Sequence, residues 1–198
     1  MSIEEICDKN GIENYTINDD GSIDVDGNVF MNGFDMYELP LKFNNVTGGF
    51  NCNDNNLTTL KGCPEKVGSE FHAGSNKLTE VDFCPKECRT VSFSTNYDLV
   101  SIKKFPEKCM RVDFSWTNLL SLKGLENVEG LEEVYVANSP LVSIFGGRIK
   151  DINMIRHFIS FKVVDGGTIN LKRLQYFQSI YTEILLREVS LKAWYKLK

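Results

Sequence analysis

Residues 46–66 read VTGGFNCNDNNLTTLKGCPEK, residues 67–87 read VGSEFHAGSNKLTEVDFCPKE, and residues 88–108 read CRTVSFSTNYDLVSIKKFPEK. These segments are variants of one unit with a period of 21 residues. Three of the five prolines keep this spacing, at positions 64, 85 and 106. Several ladders in one register predict a solenoid of stacked coils. The two apolar ladders are Met36, Leu57, Leu78, Leu99, Leu120 and Leu141, and Leu39, Leu60, Val81 and Ile102.

Each unit also predicts where a strand lies within its coil. In the segment F-x-C-x-x-N-x-L, apolar and polar residues alternate, which is typical of a short strand with one buried face. Parallel strands of neighbouring coils would stack about 4.8 Å apart. Asn55, Asn76 and Asn96, with Asn118 as a further candidate, would satisfy backbone groups where the chain leaves the strand. The expected inward pairs are Phe50/Cys52, Phe71/Ala73, Val91/Phe93, Val112/Phe114 and Val134/Val136.

The combination of period and spacing favours one class of solenoid. A period of about 20–29 residues with L-x-x-L spacing after an asparagine is the signature of a leucine-rich repeat. We therefore expect an α/β solenoid of about five to six coils over residues 30–145, with a parallel sheet and a cap at each end. The fourth and fifth coils slip by one residue, so either Leu119 or Leu120 could point inward.

Residues 1–29 are expected to form the N-terminal cap. MSIEEICDKNGIEN predicts a short helix ended by Gly11, and Tyr15–Val29 predicts a β-hairpin that turns at Asp19-Asp20-Gly21. The carboxylate-rich hairpin does not fit an EF-hand calcium loop. With Gly21 at the sixth position of such a loop, the last position falls on Gly27 instead of a glutamate.

Residues 146–198 are expected to form a basic helical C-terminal cap. The period disappears from Gly146, and DINMIRHFISF predicts a helix with Asp151 as its N-cap. A second, long amphipathic helix is predicted from about Asn170 toward the C-terminus. Its apolar face would carry Leu171, Leu174, Phe177, Tyr181, Ile184 and Leu185.

The repeat core resembles that of a known family. The segment N-L-T-x-L-x-G-C-P-x-x-V-G at 56–68, echoed at 77–87 and 99–107, is similar to uncharacterised leucine-rich repeat proteins of bacteria and bacteriophages. The opening segment NYTINDDGSIDVDGNV at 14–29 resembles the segment that often precedes their repeats. The resemblance covers roughly residues 3–145. It implies a binding scaffold of phage or prokaryotic origin and brings no catalytic residues.

Charge and hydropathy narrow the possible locations and partners. Residues 1–144 carry a net charge of −11 and residues 145–198 a net charge of +6. The acidic start MSIEEICDKN is unlike a signal peptide, and no run approaches the roughly 18 apolar residues of a membrane span. We expect a cytoplasmic protein, in the host cytoplasm if it is phage-encoded, with no membrane partner.

The six cysteines are best explained as apolar core residues. Cys63 and Cys84 stand one period apart, and Cys88 and Cys109 occupy the repeat position of Val46. We therefore expect buried free thiols; zinc and a disulfide remain the weaker alternatives. The chain has no G-x-S-x-G, H-E-x-x-H, P-loop or dinucleotide motif. We expect no enzyme activity and no cofactor.

The outward strand positions form the expected binding surface for a partner protein. They are polar and mixed in charge, unlike the basic, aromatic platform of a nucleic-acid binder. Trp116 follows one of these strands, and tryptophan, tyrosine and arginine are enriched in binding hot spots. The candidate residues are Asn51, Glu70, His72, Ser92, Arg111, Asp113, Trp116 and Tyr135. The alternative is a nucleic-acid binder that uses the basic tail, through Arg148, Lys150, Arg156, Lys172 and Arg173.

Overall fold

The computed structural model describes residues 1–165, 167–181 and 195–197. It is a parallel β-solenoid of about five turns with a period of about 21 residues, which confirms the predicted repeat. The helices are α1 (Ile3–Lys9), α2 (Val142–Phe145), α3 (Ile152–Ser160) and α4 (Leu171–Ile180). The strands are β1 (Tyr15–Ile17), β2 (Ile23–Val25), β3 (Val29–Phe30), β4 (Phe43–Val46), β5 (Phe50–Asn51), β6 (Lys66–Val67), β7 (Glu70–His72), β8 (Glu80–Val81), β9 (Thr90–Ser92), β10 (Ser101–Ile102), β11 (Arg111–Asp113), β12 (Glu133–Tyr135), β13 (Arg148–Ile149), β14 (Val164–Asp165), β15 (Thr168–Ile169) and β16 (Lys196–Leu197).

Each coil of the solenoid has three sides. The first side is a seven-stranded sheet in the order β13-β12-β11-β9-β7-β5-β3, of which six strands are parallel and β13 is antiparallel. The second side holds the parallel pair β8 and β10. The third side begins with the antiparallel hairpin β1–β2 and continues in parallel through β4 and β6. Single bridges then carry the third side on through Glu87, Lys108 and Glu129.

The turn after the first side is built from an asparagine and a left-handed residue. Asn76 Nδ2 donates to the carbonyl oxygens of Cys52 (3.0 Å) and Gly74 (3.0 Å), and its Oδ1 accepts from Leu57 N at 2.9 Å. One side-chain amide therefore satisfies backbone groups of two successive coils, as predicted. Asn55 and Asn96 make equivalent contacts in their coils.

The predicted asparagine position changes in the later coils. Asn118 is half-buried and does not continue the ladder; the buried Thr117 takes its place, with its hydroxyl donating to Phe114 O at 2.8 Å. In the same coil Leu119 is the buried inward residue. Of the two candidates that the sequence left open, Leu119 therefore points inward, and Leu120, the strict 21-residue position, packs against a second core.

The core runs along the axis of the solenoid. All five predicted inward pairs are buried, from Phe50 and Cys52 to Val134 and Val136. Phenylalanine rings stack between coils, with centroids 5.6 Å apart for Phe50–Phe71. These stacked inward pairs bury apolar surface in every coil. Burial of apolar surface is the main favourable term for folding.

Both ends of the array are covered by the chain itself. At the start, Ser2 and Glu5 form the capping box of α1, Gly11 follows it with φ +63°, and Cys7 and Ile12 join the solenoid core. At the other end, Asp151 caps α3 as predicted, and Ile152 and Ile155 join the same core.

The C-terminal segment packs around a second core. Phe158, Leu174, Phe177 and Tyr195 are buried there together. The predicted long helix is shorter than expected, because α4 ends at Ile180 and Tyr181 is no longer helical. Ile184 and Leu185 lie outside the described residues. Within the described residues, no helix is both long and apolar enough to cross a membrane.

Candidate functional site

Seven of the eight predicted surface residues lie in two rows on the outer face of the first side. Strand pairing aligns Asn51, His72, Ser92, Asp113 and Tyr135 in one row. It aligns Glu70, Thr90, Arg111 and Glu133 in the second row. The stacking of coils, and not any local contact in sequence, brings these side chains together.

A cluster of charges centres on Glu133. Arg111 Nε lies 3.5 Å from Glu133 Oε2, Arg148 forms an ion pair with the same carboxylate, and the Tyr135 hydroxyl donates to Oε2 at 2.7 Å. The guanidinium carbon of Arg148 also lies 5.1 Å from the centre of the Tyr135 ring. The hydrogen bond from Tyr135 and the nearby Arg148 hold the pKa of Glu133 below its usual range.

Arg148 lies on this sheet, although the sequence pattern places it in the basic tail. After Gly146 (φ +75°) the chain turns back, and β13 pairs antiparallel with β12, so that Arg148 faces Tyr135. The first side therefore extends beyond residue 145. The alternation of Arg148 with the buried Ile149 was the available signal, but two residues are too few to predict a strand.

A shallow depression of about 190 Å³ lies in the middle of the two rows. Six of its lining residues are His72, Thr90, Ser92, Arg111, Asp113 and Tyr135. His72 Nε2 lies 3.0 Å from Glu70 Oε2. Thr90 Oγ1 is buried without a hydrogen-bond partner among the described residues. The depression therefore presents hydrogen-bond donors and acceptors, and both positively and negatively charged groups, to a side chain of a partner.

Trp116 lies three residues after β11, in a left-handed conformation with φ +60°, and it is 50% exposed. The equivalent position in every coil of the array is left-handed, and from Gly33 to Trp116 its backbone N–H donates to the next coil. The other residues at this position are glycine or small polar residues, with Thr95 and Asn138 on either side of Trp116. A bulky residue with positive φ is a conformational outlier. The full ladder is Gly33, Asp54, Ser75, Thr95, Trp116 and Asn138.

The remaining residues of the basic tail are exposed and lie on other elements. Lys150 follows β13, Arg156 is on α3, and Lys172 and Arg173 are on α4. Arg156 Nη1 donates to Asn153 Oδ1 at 3.3 Å, and Arg173 Nη1 donates to Lys162 O at 3.2 Å. None of these contacts joins them to the two rows of the first side.

The cysteines are unpaired, and five of the six are buried. Cys88 and Cys109 stack in neighbouring coils with their sulfurs 3.7 Å apart, at the repeat position of Val46 and Val67, as predicted. Burial raises the pKa of the Cys52 thiol to about 12, so it is neutral at physiological pH. In the part of the chain that the structure describes, no three His, Cys, Asp or Glu residues are placed to hold a metal ion.

No family model matches the chain, and neither a curated protein nor a solved structure matches it. Its class therefore follows from its own geometry, which is that of a parallel β-solenoid. The outer face of its seven-stranded sheet carries polar, aromatic and charged residues.

Proposed function

We propose that the protein is a non-enzymatic leucine-rich repeat module that binds another protein through the outer face of the first side. Trp116 carries this proposal. In the other coils this position is occupied by glycine or small polar residues. Among the described residues, the indole nitrogen of Trp116 has no hydrogen-bond partner. Half of its side chain stays in water.

The position of Trp116 is costly for the free protein. A non-glycine residue held in the left-handed region costs of the order of 1 kcal/mol or more. Asn, Asp, Ser and Thr are less bulky there, and Asn and Asp can form local hydrogen bonds that favour this conformation. Burial of the Trp116 side chain by a partner would offset this cost and would account for an exposed tryptophan at this position.

The surroundings of Trp116 support a protein partner. Tyr135, Arg111 and Arg148 lie on the first side, whose strand β11 ends three residues before Trp116, and Trp, Tyr and Arg are the residues most enriched in hot spots. The Glu133 carboxylate pairs with both arginines in the free protein. A preorganised surface loses less side-chain entropy on binding.

Two further parts of the proposal rest on the resemblance in the repeat core. It supports a leucine-rich repeat protein of phage or bacterial origin. A phage protein of this kind would act in the host cytoplasm, by binding a host protein and inhibiting or redirecting it. The nucleic-acid alternative is weakened because Arg148, one of its five residues, is paired with Glu133.

Affinity capture from bacterial lysates, with and without nuclease, tests the proposal. The wild-type chain is compared with Trp116→Asn, which places at 116 the residue type found at Asn138. Loss of a hot-spot side chain costs about 2 kcal/mol or more, so we expect the affinity for the captured protein to fall by about thirtyfold or more. Circular dichroism checks that the variant is folded.

Two control variants separate the surfaces. Tyr37→Asn removes an aromatic side chain that is 71% exposed in the first coil, four coils from Trp116, and should leave capture unchanged. Lys172→Glu with Arg173→Glu should also leave it unchanged. Capture that survives Trp116→Asn but is lost with nuclease and with the charge reversal would overturn the proposal in favour of nucleic acid.

A further inference from the structure

A second cavity, of about 500 Å³, opens at the Cys-Pro corners between the second and third sides. It is lined by residues 38–43, 61–65, 83, 84, 86 and 104, which come from four successive coils. We call it the corner groove. Neighbouring coils lie about 4.8 Å apart, so four coils give the groove a length of about 14 Å. It lies away from the face that carries Trp116.

The floor of the corner groove is preformed. Gly62 has φ +93°, and a Cβ atom there would lie 2.6 Å from Leu41 O, so the second coil packs on the first without room for a side chain. Phe43 N donates to Gly62 O at 2.8 Å, and Pro64 is buried. Phe83 remains 39% exposed above this floor. The groove therefore keeps an apolar surface in water.

The rim of the corner groove is rich in lysine. Lys42, Lys61, Lys86 and Lys104 line it, together with Glu38 and Glu65. Lys42 pairs with Asp20 and Lys86 with Glu65. No carboxylate among the described residues lies within ion-pair distance of Lys61 or Lys104. Two ammonium groups of the rim are thus open to an anion, although residues 1–144 carry a net charge of −11.

The lysines converge on a position that already holds a negative group. Lys86 hydrogen-bonds Glu65, and Lys86, Lys104 and Lys42 all lower the pKa of that carboxylate. An anion placed beside Glu65 would meet the same ammonium groups. Glu65 is then a competitor of that anion, and its removal should favour binding.

We propose that the corner groove is a binding site for a small organic anion with an apolar body. The anionic group would lie beside Glu65 and contact Lys104, with Lys61 as the second free ammonium group of the rim, and the body would lie on Phe83 and Pro40. A volume of about 500 Å³ falls in the range of small-molecule sites, which are mostly apolar with a few convergent polar groups. This site is independent of the protein-binding face.

Fluorescence titration with 8-anilinonaphthalene-1-sulfonate, which joins an aryl body to a sulfonate, tests the site. Binding should perturb the amide resonances of Lys61, Gly62 and Cys84 in a ¹⁵N correlation spectrum. N-phenyl-1-naphthylamine has the same body without the sulfonate and should bind several-fold more weakly. Exposed ion contacts are each worth less than about 1 kcal/mol, so Lys61→Gln with Lys104→Gln should weaken binding about three- to tenfold.

Two further variants complete the experiment. Glu65→Gln removes the competing carboxylate and should tighten binding of the sulfonate about two- to fivefold. Lys77→Gln with Lys123→Gln removes two exposed lysines outside the groove and should change nothing. Perturbed amides elsewhere, equal binding of the uncharged probe, or unchanged affinity in Lys61→Gln/Lys104→Gln would each overturn the site.

Discussion

At the scale of the residue, the turn after the first side depends on single side chains. The sequence predicts Asn55, Asn76 and Asn96 correctly because each follows a strand and lies two or three residues before a buried leucine. It does not predict Thr117, which does part of the same task without an amide: its hydroxyl donates to Phe114 O and accepts from Leu119 N at 3.4 Å. The left-handed residue before each of these positions has no common residue type, so the sequence pattern does not reveal it.

We expect Asn76→Ala to destabilise the fold by about 2–4 kcal/mol. The change leaves Leu57 N without its buried partner, which costs about 1–3 kcal/mol, and it removes one of the two amide donors to Cys52 O, which adds about 1 kcal/mol. Urea unfolding, followed by circular dichroism, measures the loss. Asn118→Ala is the matched control, because Asn118 is off the ladder, and it should cost less than about 0.5 kcal/mol. Equal costs for the two variants would contradict the assigned ladder.

At the scale of the element, the third side is stabilised by lysine and glutamate side chains that alternate from coil to coil. The strands of this side are too short for a sequence pattern to reveal this alternation. Its strands have two to four residues, too few for a periodic pattern to predict them, and beyond β6 only single bridges continue. Across the coils, however, Lys66, Glu87, Lys108 and Glu129 alternate in charge, with Lys66 Nζ 3.1 Å from Glu87 Oε1. Opposite charges on neighbouring strands favour this register.

Glu87→Lys should therefore destabilise the protein by about 1 kcal/mol at low salt. The variant places three lysines in adjacent positions, and like charges opposite each other on neighbouring strands are unfavourable. The difference from wild type should shrink as salt screens the exposed groups. Thermal melts at low and high salt measure both effects. Glu132→Lys makes the same charge change outside the ladder, and a fall of the same size there would argue against a pairing effect.

At the scale of the whole molecule, one continuous core runs from α1 to α3. The sequence predicts this core well, because its 21-residue period marks which positions face inward. It predicts the candidate surface in part: the two rows follow from the same period, whereas Arg148 joins them only through the antiparallel return of β13. The corner groove has no sequence signal, since its lining comes from four coils and depends on how closely they pack.

Leu78→Ala in the middle of this core should cost about 2–5 kcal/mol, because Leu78 is fully buried and its removal leaves a cavity. The denaturant midpoint should fall without a separate early transition, since the core is continuous. Val100→Ala, at a position 51% exposed, is the control and should stay within about 0.5 kcal/mol. A midpoint unchanged in Leu78→Ala would contradict the proposed register.

The asparagine turn has a consequence for how the chain can vary in length. Each ladder amide bonds the backbone of its own coil and of the coil before it, so adjacent coils must present the same register. A duplication of one whole unit, from Val67 to Glu87, would give every amide a partner. An insertion of half a unit would leave the side-chain amides of two turns without their backbone partners. The array can therefore grow or shrink only in complete coils. The 21-residue unit is thus the unit of duplication and deletion as well as the unit of structure.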